Sequence, residues 1–169
     1  ELNLKELLVL PYCAIGRVHV CICYYKEAIE YLEKGISLFP PTEELDDITT
    51  LEKIYSLGVL VQAYGYLGYK QETHEVVQRL EKEFKDINNE VYQLYLKFYI
   101  ASGYVMGAEP ELGLKKAEQA LESAKEMKNF LIETFSVFLI GSAHQRMGNL
   151  TESIRFISKA FNMAREHNM

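Results

Sequence analysis

The chain has 169 residues, 49% of them hydrophobic and 25% charged, with a net charge of −6 at pH 7. That composition suits a chain that buries a core, and its acidic balance excludes a nucleic-acid ligand, because phosphate contacts need a basic face. No apolar run is long enough to span a membrane, residues 130–143 being broken by Glu133, and no leader pattern opens the sequence.

Residues 1–9 predict the tail of a preceding helix, and Pro11 the first turn of the next, where its missing N–H costs nothing. That helix is expected to run to about Cys23, with residues 25–38 as its partner. Residues 40–47, Pro-Pro-Thr-Glu-Glu-Leu-Asp-Asp, form an extended acidic connector, and their carboxylates read as solvated. Thr49-x-x-Glu52 predicts a capping box for a helix reaching Tyr66, and Gly68-Tyr69 turns the chain into residues 71–84. Asn88-Asn89 starts a helix to about Met106, and Glu109-Pro110 another to Lys128. The stretch 134–167 carries two more. Val137, Ile140, Gly141, His144 and Met147 mark the first, Gly148-Asn149 breaks it, and Ile154, Ile157, Ala160, Phe161 and Ala164 mark the second. No segment alternates with period two, so the expected fold is all helix.

The helices repeat in pairs. Forty residues back from Ala160, Gly141 and His144 stand Ala120, Ala101 and Tyr104, and forty further back stand Leu80, Val61 and Tyr64. A last step of forty-five leads to Gly35 and Gly16, and from Thr73 to Ala28. A period near forty is the signature of a helical solenoid.

Three stretches, Gly16…Ala28…Pro40, Leu60-Val61-x-x-Tyr64-x-x-x-Gly68 and Gly141…Gly148…Ala160, resemble the tetratricopeptide repeat (TPR). In that family a small residue on the first helix admits the second, a tyrosine three residues on fills the gap, and a glycine turns the chain. The copies here depart from it. Cys23 and Ala108 stand at the turn glycine, Thr73 and Ser153 at the second-helix alanine, and the terminal proline survives in the first copy alone. The resemblance implies an all-α, right-handed α-α superhelix, a TPR-like solenoid of about four helical hairpins. It implies one domain over 1–169, with repeats near 9–42, 54–87, 94–127 and 134–167. Gly16 and Gly141 fall where the second helix approaches, whereas Gly58 and Gly65 fall on the opposite, groove-facing side. The chain starts at Glu1 rather than Met, and the expectation is a piece of a larger protein.

Cys13, Cys21 and Cys23 are odd in number and lack a framework spacing, which favours a reducing, cytoplasmic setting. Residues two apart on a helix point about 200° away from each other, so Cys21 and Cys23 cannot share an ion there, and with His19 they read as a helix interface rather than a metal site. His74-Glu75-Val76-Val77-Gln78 lacks the second histidine of a zinc helix. No nucleophile elbow, phosphate loop or dinucleotide fingerprint is present. The sequence therefore predicts no enzyme, no catalytic residue, no metal and no cofactor.

The repeat register places Cys13, Arg17 and Val20 on a concave face, then Tyr55, Gln62 and Tyr66, then Tyr95, Phe98 and Ser102, then Phe138, Gln145 and Arg146. Exposed aromatic and arginine side chains are what binding grooves use. The period of forty and the endings Ala-Lys-Glu-Met and Ala-Arg-Glu-His also resemble the sensor arrays of maltose-type bacterial transcription regulators. The expected function is a binding module of a signal-transduction or transcription regulator; the alternative is a TPR scaffold or adaptor. The expected partner is a protein or peptide segment, or a small-molecule inducer, with no membrane contact. Apolar residues at the ends (Leu4, Leu7 and Leu8, and Phe161 and Met163) add an expectation of self-association.

Overall fold

The structure, a computed structural model, describes residues 4–107 and 109–167, with side chains from residue 7 onward. Eight α-helices account for most of these residues, with no strand among them. In chain order they are α1 (Leu4–Cys21), α2 (Tyr25–Ile36), α3 (Asp47–Leu67), α4 (Lys70–Glu83), α5 (Glu90–Met106), α6 (Pro110–Glu126), α7 (Phe130–Arg146) and α8 (Leu150–Glu166). The chain divides into two compact units, Glu1–Ile87 and Asn88–Met169. In the first, α1 packs on α2, α2 on α3 and α3 on α4, with α1 also touching α3. In the second, α5 packs on α6, α6 on α7 and α7 on α8, with α5 also touching α7.

Small residues set how closely each pair approaches. A Cβ on Gly16 would stand 2.6 Å from Leu32 Cγ, and one on Gly141 would stand 2.7 Å from Ile157 Cγ1. Both are the close-approach sites the repeat register selects. An equally close contact, but against backbone, is at Gly113, where a Cβ would meet the backbone nitrogen of Val105 at 2.6 Å. Gly113 shares its register with Ala28, Thr73 and Ser153, and all four are small and buried. Near the turn a ring or a long cation fills the notch. His19 stacks on Tyr31, His144 on Phe156, and Lys116 sits 5.2 Å from the Tyr104 ring centre. Tyr64 instead donates its phenol to Glu33 Oε1, tying α3 to α2.

The turns explain a departure from the repeat pattern. Gly68 and Gly148 adopt left-handed backbone at φ 75° and 81°, and Cys23, at the equivalent position, does the same at φ 62°. Ala108, the fourth member of that set, lies outside the described residues. Lys128 is also left-handed, at φ 53°, and a side chain in that region costs about 1–2 kcal/mol. Lys128→Gly removes that cost, against some added freedom in the unfolded chain. The expected net gain is about 0.5–1 kcal/mol, read as a higher urea midpoint; an unchanged or lower one would contradict this origin of the strain.

Two local expectations change. Helix α1 runs through Pro11 without a break, because its buried face, Val9, Cys13 and Gly16, continues in phase across the proline and packing outweighs one lost hydrogen bond. Helix α3 begins before Thr49. Asp46 is its N-cap and accepts from Thr49 N at 2.7 Å; its hydrogen bonds with Thr49, side chain first and then backbone, hold its carboxyl below the usual value. The acidic connector thus starts a helix.

The connector is also fastened at its other end. Residues Thr42–Glu44 form one 3₁₀ turn. Lys53, on α3 and only 4% exposed, donates from Nζ to Thr42 Oγ1 at 2.8 Å and lies 2.9 Å from Glu83 Oε2 of α4. Thr42 Oγ1 donates in turn to Glu83 Oε2, and Arg79 Nε donates to Glu83 Oε1.

Candidate binding surface

In the first unit the predicted face is assembled by α1 and α3, with Tyr25 of α2 against one end. Tyr55, Gln62 and Tyr66 recur at seven- and four-residue intervals, which places them on one side of α3. Tyr55 and Tyr66 are exposed and Gln62 is half-buried. Arg17 reaches across from α1. Its Nη1 donates to Glu52 Oε2 at 2.8 Å, and its guanidinium lies 5.0 Å from the centre of the Tyr55 ring. Tyr66 stacks on Tyr25 with ring centres 4.8 Å apart. The hydrogen bond of Tyr25 with Cys23, helped by burial, pushes its phenol up to about 12.

This geometry changes what Arg17 can do. The repeat register puts Arg17 on the concave face, where a ligand carboxylate has to displace or share Glu52. What the face adds is the exposed parts of the Tyr55 and Tyr66 rings that Arg17 and Tyr25 leave uncovered, and the half-buried Gln62 amide. Such rings contribute contact area at little cost in side-chain freedom. Cys13, in the same register, is fully buried with its sulfur against Gly35; burial raises its thiol pKa, partly offset by Ser56 and Arg17.

In the second unit the predicted residues separate. Phe98 and Ser102 of α5 are buried, Ser102 donating to Met106 Sδ, and Tyr95 is half-buried. On α7, Phe138, Gln145 and Arg146 are exposed. The register that carries Tyr55 and Tyr95 also carries Phe135, which is exposed and 6.1 Å ring to ring from Phe98. With Leu131 and Phe138 it forms an apolar row on α7. The same forty-residue step marks Phe135 in the sequence.

Among the described residues no group of three or more His, Cys, Asp or Glu could hold a metal ion. The three cysteines are free thiols. His74 and Gln78 pair with each other at 2.9 Å on an exposed face of α4. None of the described helices is long and apolar enough to cross a membrane.

No family model matches the chain. A solved Rap protein, complexed with competence and sporulation factor, superposes on 100% of this chain with a TM-score of 0.78 at 16% identity. The fold is therefore an all-helical, TPR-like solenoid. In sequence the chain is similar to response regulator aspartate phosphatase A of Bacillus subtilis (strain 168), 25% identical over 146 residues and 84% of this chain. The chain spans 35% of that curated relative and 46% of the solved Rap chain. The likeness supports TPR-like repeats; the resemblance to maltose-type regulators is not shown.

Proposed function

We infer that the chain is the recognition segment of a Rap-type signalling regulator and takes a peptide segment on the α1/α3 face of its first unit. The observation that carries this reading is the structural likeness, over the whole of this chain and 46% of the other, to a Rap protein complexed with competence and sporulation factor. The exposed pair Tyr55 and Tyr66 supplies the place. A bound segment lies along α3, its apolar side chains on the two rings and its polar groups on Gln62 and the phenols. An acidic residue of the ligand competes with Glu52 for Arg17. The aspartate phosphatase activity named for the Bacillus subtilis relative belongs, in this reading, to parts of a whole regulator, and this segment contributes recognition.

The test uses competence and sporulation factor and a displayed library of random linear peptides as probes, followed by calorimetry on the selected sequences. Tyr66→Ala is expected to weaken binding at least tenfold, about 1.4 kcal/mol, as loss of an aromatic anchor does. Its thermal midpoint is expected to fall only slightly, because the ring is half exposed and what it loses in the fold is the stack on Tyr25, about 0.5–1.5 kcal/mol. Selected peptides that bind the Tyr55→Ala/Tyr66→Ala double variant as well as wild type would sink the reading.

A further inference from the structure

Arg17 is held on two sides within the first unit. Its Nη1 donates to Glu52 Oε2 at 2.8 Å, and its guanidinium lies over the Tyr55 ring, 5.0 Å from the ring centre. Glu52 and Tyr55 stand three residues apart on α3, so they project from neighbouring turns on one side of that helix. The flat cation therefore rests on the ring while the carboxylate fixes its edge. Part of the ring that a bound segment would use is covered by the protein's own side chain. The cover is also partly open to solvent, with 22% of the Arg17 side chain and 30% of the Glu52 side chain exposed. An ion pair of that exposure opens at small cost, and so does a cation lying over an exposed ring.

The repeat does not require this pair. In the second unit the same three register positions are Ser102 on α5 and Ile132 and Phe135 on α7. Ser102 and Ile132 are buried and uncharged, and α5 touches α7 as α1 touches α3. The contact between first helices thus forms with or without an ion pair at this place, which leaves Arg17 and Glu52 free to act on the exposed face.

We propose that Arg17 is a gate on Tyr55, pinned shut by Glu52 and opened by an acidic side chain of the ligand. The inference rests on the peptide-binding reading of the α1/α3 face and adds how that face selects its ligand. The ligand carboxylate takes the guanidinium from Glu52, replacing one charge-assisted hydrogen bond by another. The guanidinium moves off the Tyr55 ring, and an apolar side chain of the ligand takes its place. A ligand shifts such an equilibrium only by the contacts that differ between the two states. Here the acid holds the gate open and the apolar residue fills the space behind it, so the two are recognised together. A ligand without the acid has to displace Arg17 with nothing to hold it away.

Calorimetry on peptides from the displayed library tests this, each peptide being made with its acidic residue and with the corresponding amide. Wild type is expected to select peptides with an acidic residue near an apolar one, and to bind the amide forms more weakly. Arg17→Ala is expected to bind the acidic forms more weakly than wild type does, but the amide forms about two- to fivefold more tightly, because the cover is gone. That gain is expected to vanish in Arg17→Ala/Tyr55→Ala. Glu52→Gln, which unpins the gate and keeps the cation, is expected to bind both forms about two- to fivefold more tightly. Circular dichroism melts check that the variants stay folded. Should Arg17→Ala unfold, the amide forms on Glu52→Gln decide alone, since a carboxylate that merely repelled acidic ligands would leave them unchanged. Selected peptides indifferent to Tyr66→Ala overturn the peptide reading and the gate with it. Peptides that depend on Tyr66, but whose amide forms gain nothing from Arg17→Ala or Glu52→Gln, overturn the gate and leave the reading standing. So does a Tyr66-dependent set in which acidic residues are no commoner than in the library.

Discussion

Replacing Gly113 by alanine is expected to destabilise the protein by about 2 kcal/mol, opposite in sign to what helix propensity alone dictates. In a helix interior, glycine to alanine gains up to about 1 kcal/mol. Here the new methyl would lie 2.6 Å from the nitrogen and 2.9 Å from the Cα of Val105. Those are backbone atoms of α5, which cannot turn aside as a side-chain tip can, so α6 has to move away from α5. Overpacking of that kind costs about 1–3 kcal/mol, and a backbone clash falls at the upper end. Chemical denaturation of the variant measures the sign. A midpoint equal to or above wild type would mean that α5 and α6 are not held as closely as the structure has them.

The second large effect is at Glu83. Burial opposes its ionisation, but the hydrogen bonds and charges of Arg79 and Lys53 outweigh burial and hold its carboxyl below the ordinary value of 4.5. Glu83→Gln leaves Lys53 buried with its charge unmatched, and breaking a buried pair by removing one partner costs about 3 kcal/mol. The pH dependence comes from linkage. A carboxyl whose pKa is lower in the folded state than in the unfolded chain contributes its full stabilisation above the unfolded value. That contribution is lost as pH falls through the folded value. The gap in stability between wild type and Glu83→Gln is therefore widest near neutrality and narrows as the solution is taken below about pH 4.5. Denaturation curves of both proteins at neutral and acidic pH measure it. A gap that stays constant across that window would remove the ion pair from the explanation.

How far the sequence reaches can be judged from particular residues. The period of forty located the hairpins, and Gly16 and Gly141 were legible as contact points because smallness recurs in their register. Gly113 was equally legible from Ala28, Thr73 and Ser153, yet a lone glycine in a helix reads first as a defect. Pro11 misled because local rules weigh one missing hydrogen bond, whereas the uninterrupted face of Val9, Cys13 and Gly16 decides the outcome. Asp46 was hidden in a run of carboxylates whose composition says only that it is acidic. For the candidate surface, register identified which side of α3 carries Tyr55 and Tyr66. It could not say that Phe98 and Ser102 are buried, since that depends on the helix lying over them. Nor could it pair Arg17 with Glu52, a contact between side chains 35 positions apart.

The fastening of the connector by Thr42, Lys53 and Glu83 bears on how this repeat series accommodates uneven spacing. The first step along the chain is five residues longer than the others, and the surplus falls in the stretch 40–47. Lengthening a loop adds little to the free energy of closing it, but it loosens the positional relation between the helices on its two sides. Here Thr42 is held by a lysine of α3 and a glutamate of α4, so the bond network sets where the connector arrives, whatever its length. Insertions between Pro40 and Thr42 can then accumulate without shifting α3 along the repeat, and the first hairpin can diverge in sequence while the spacing of the later ones is preserved.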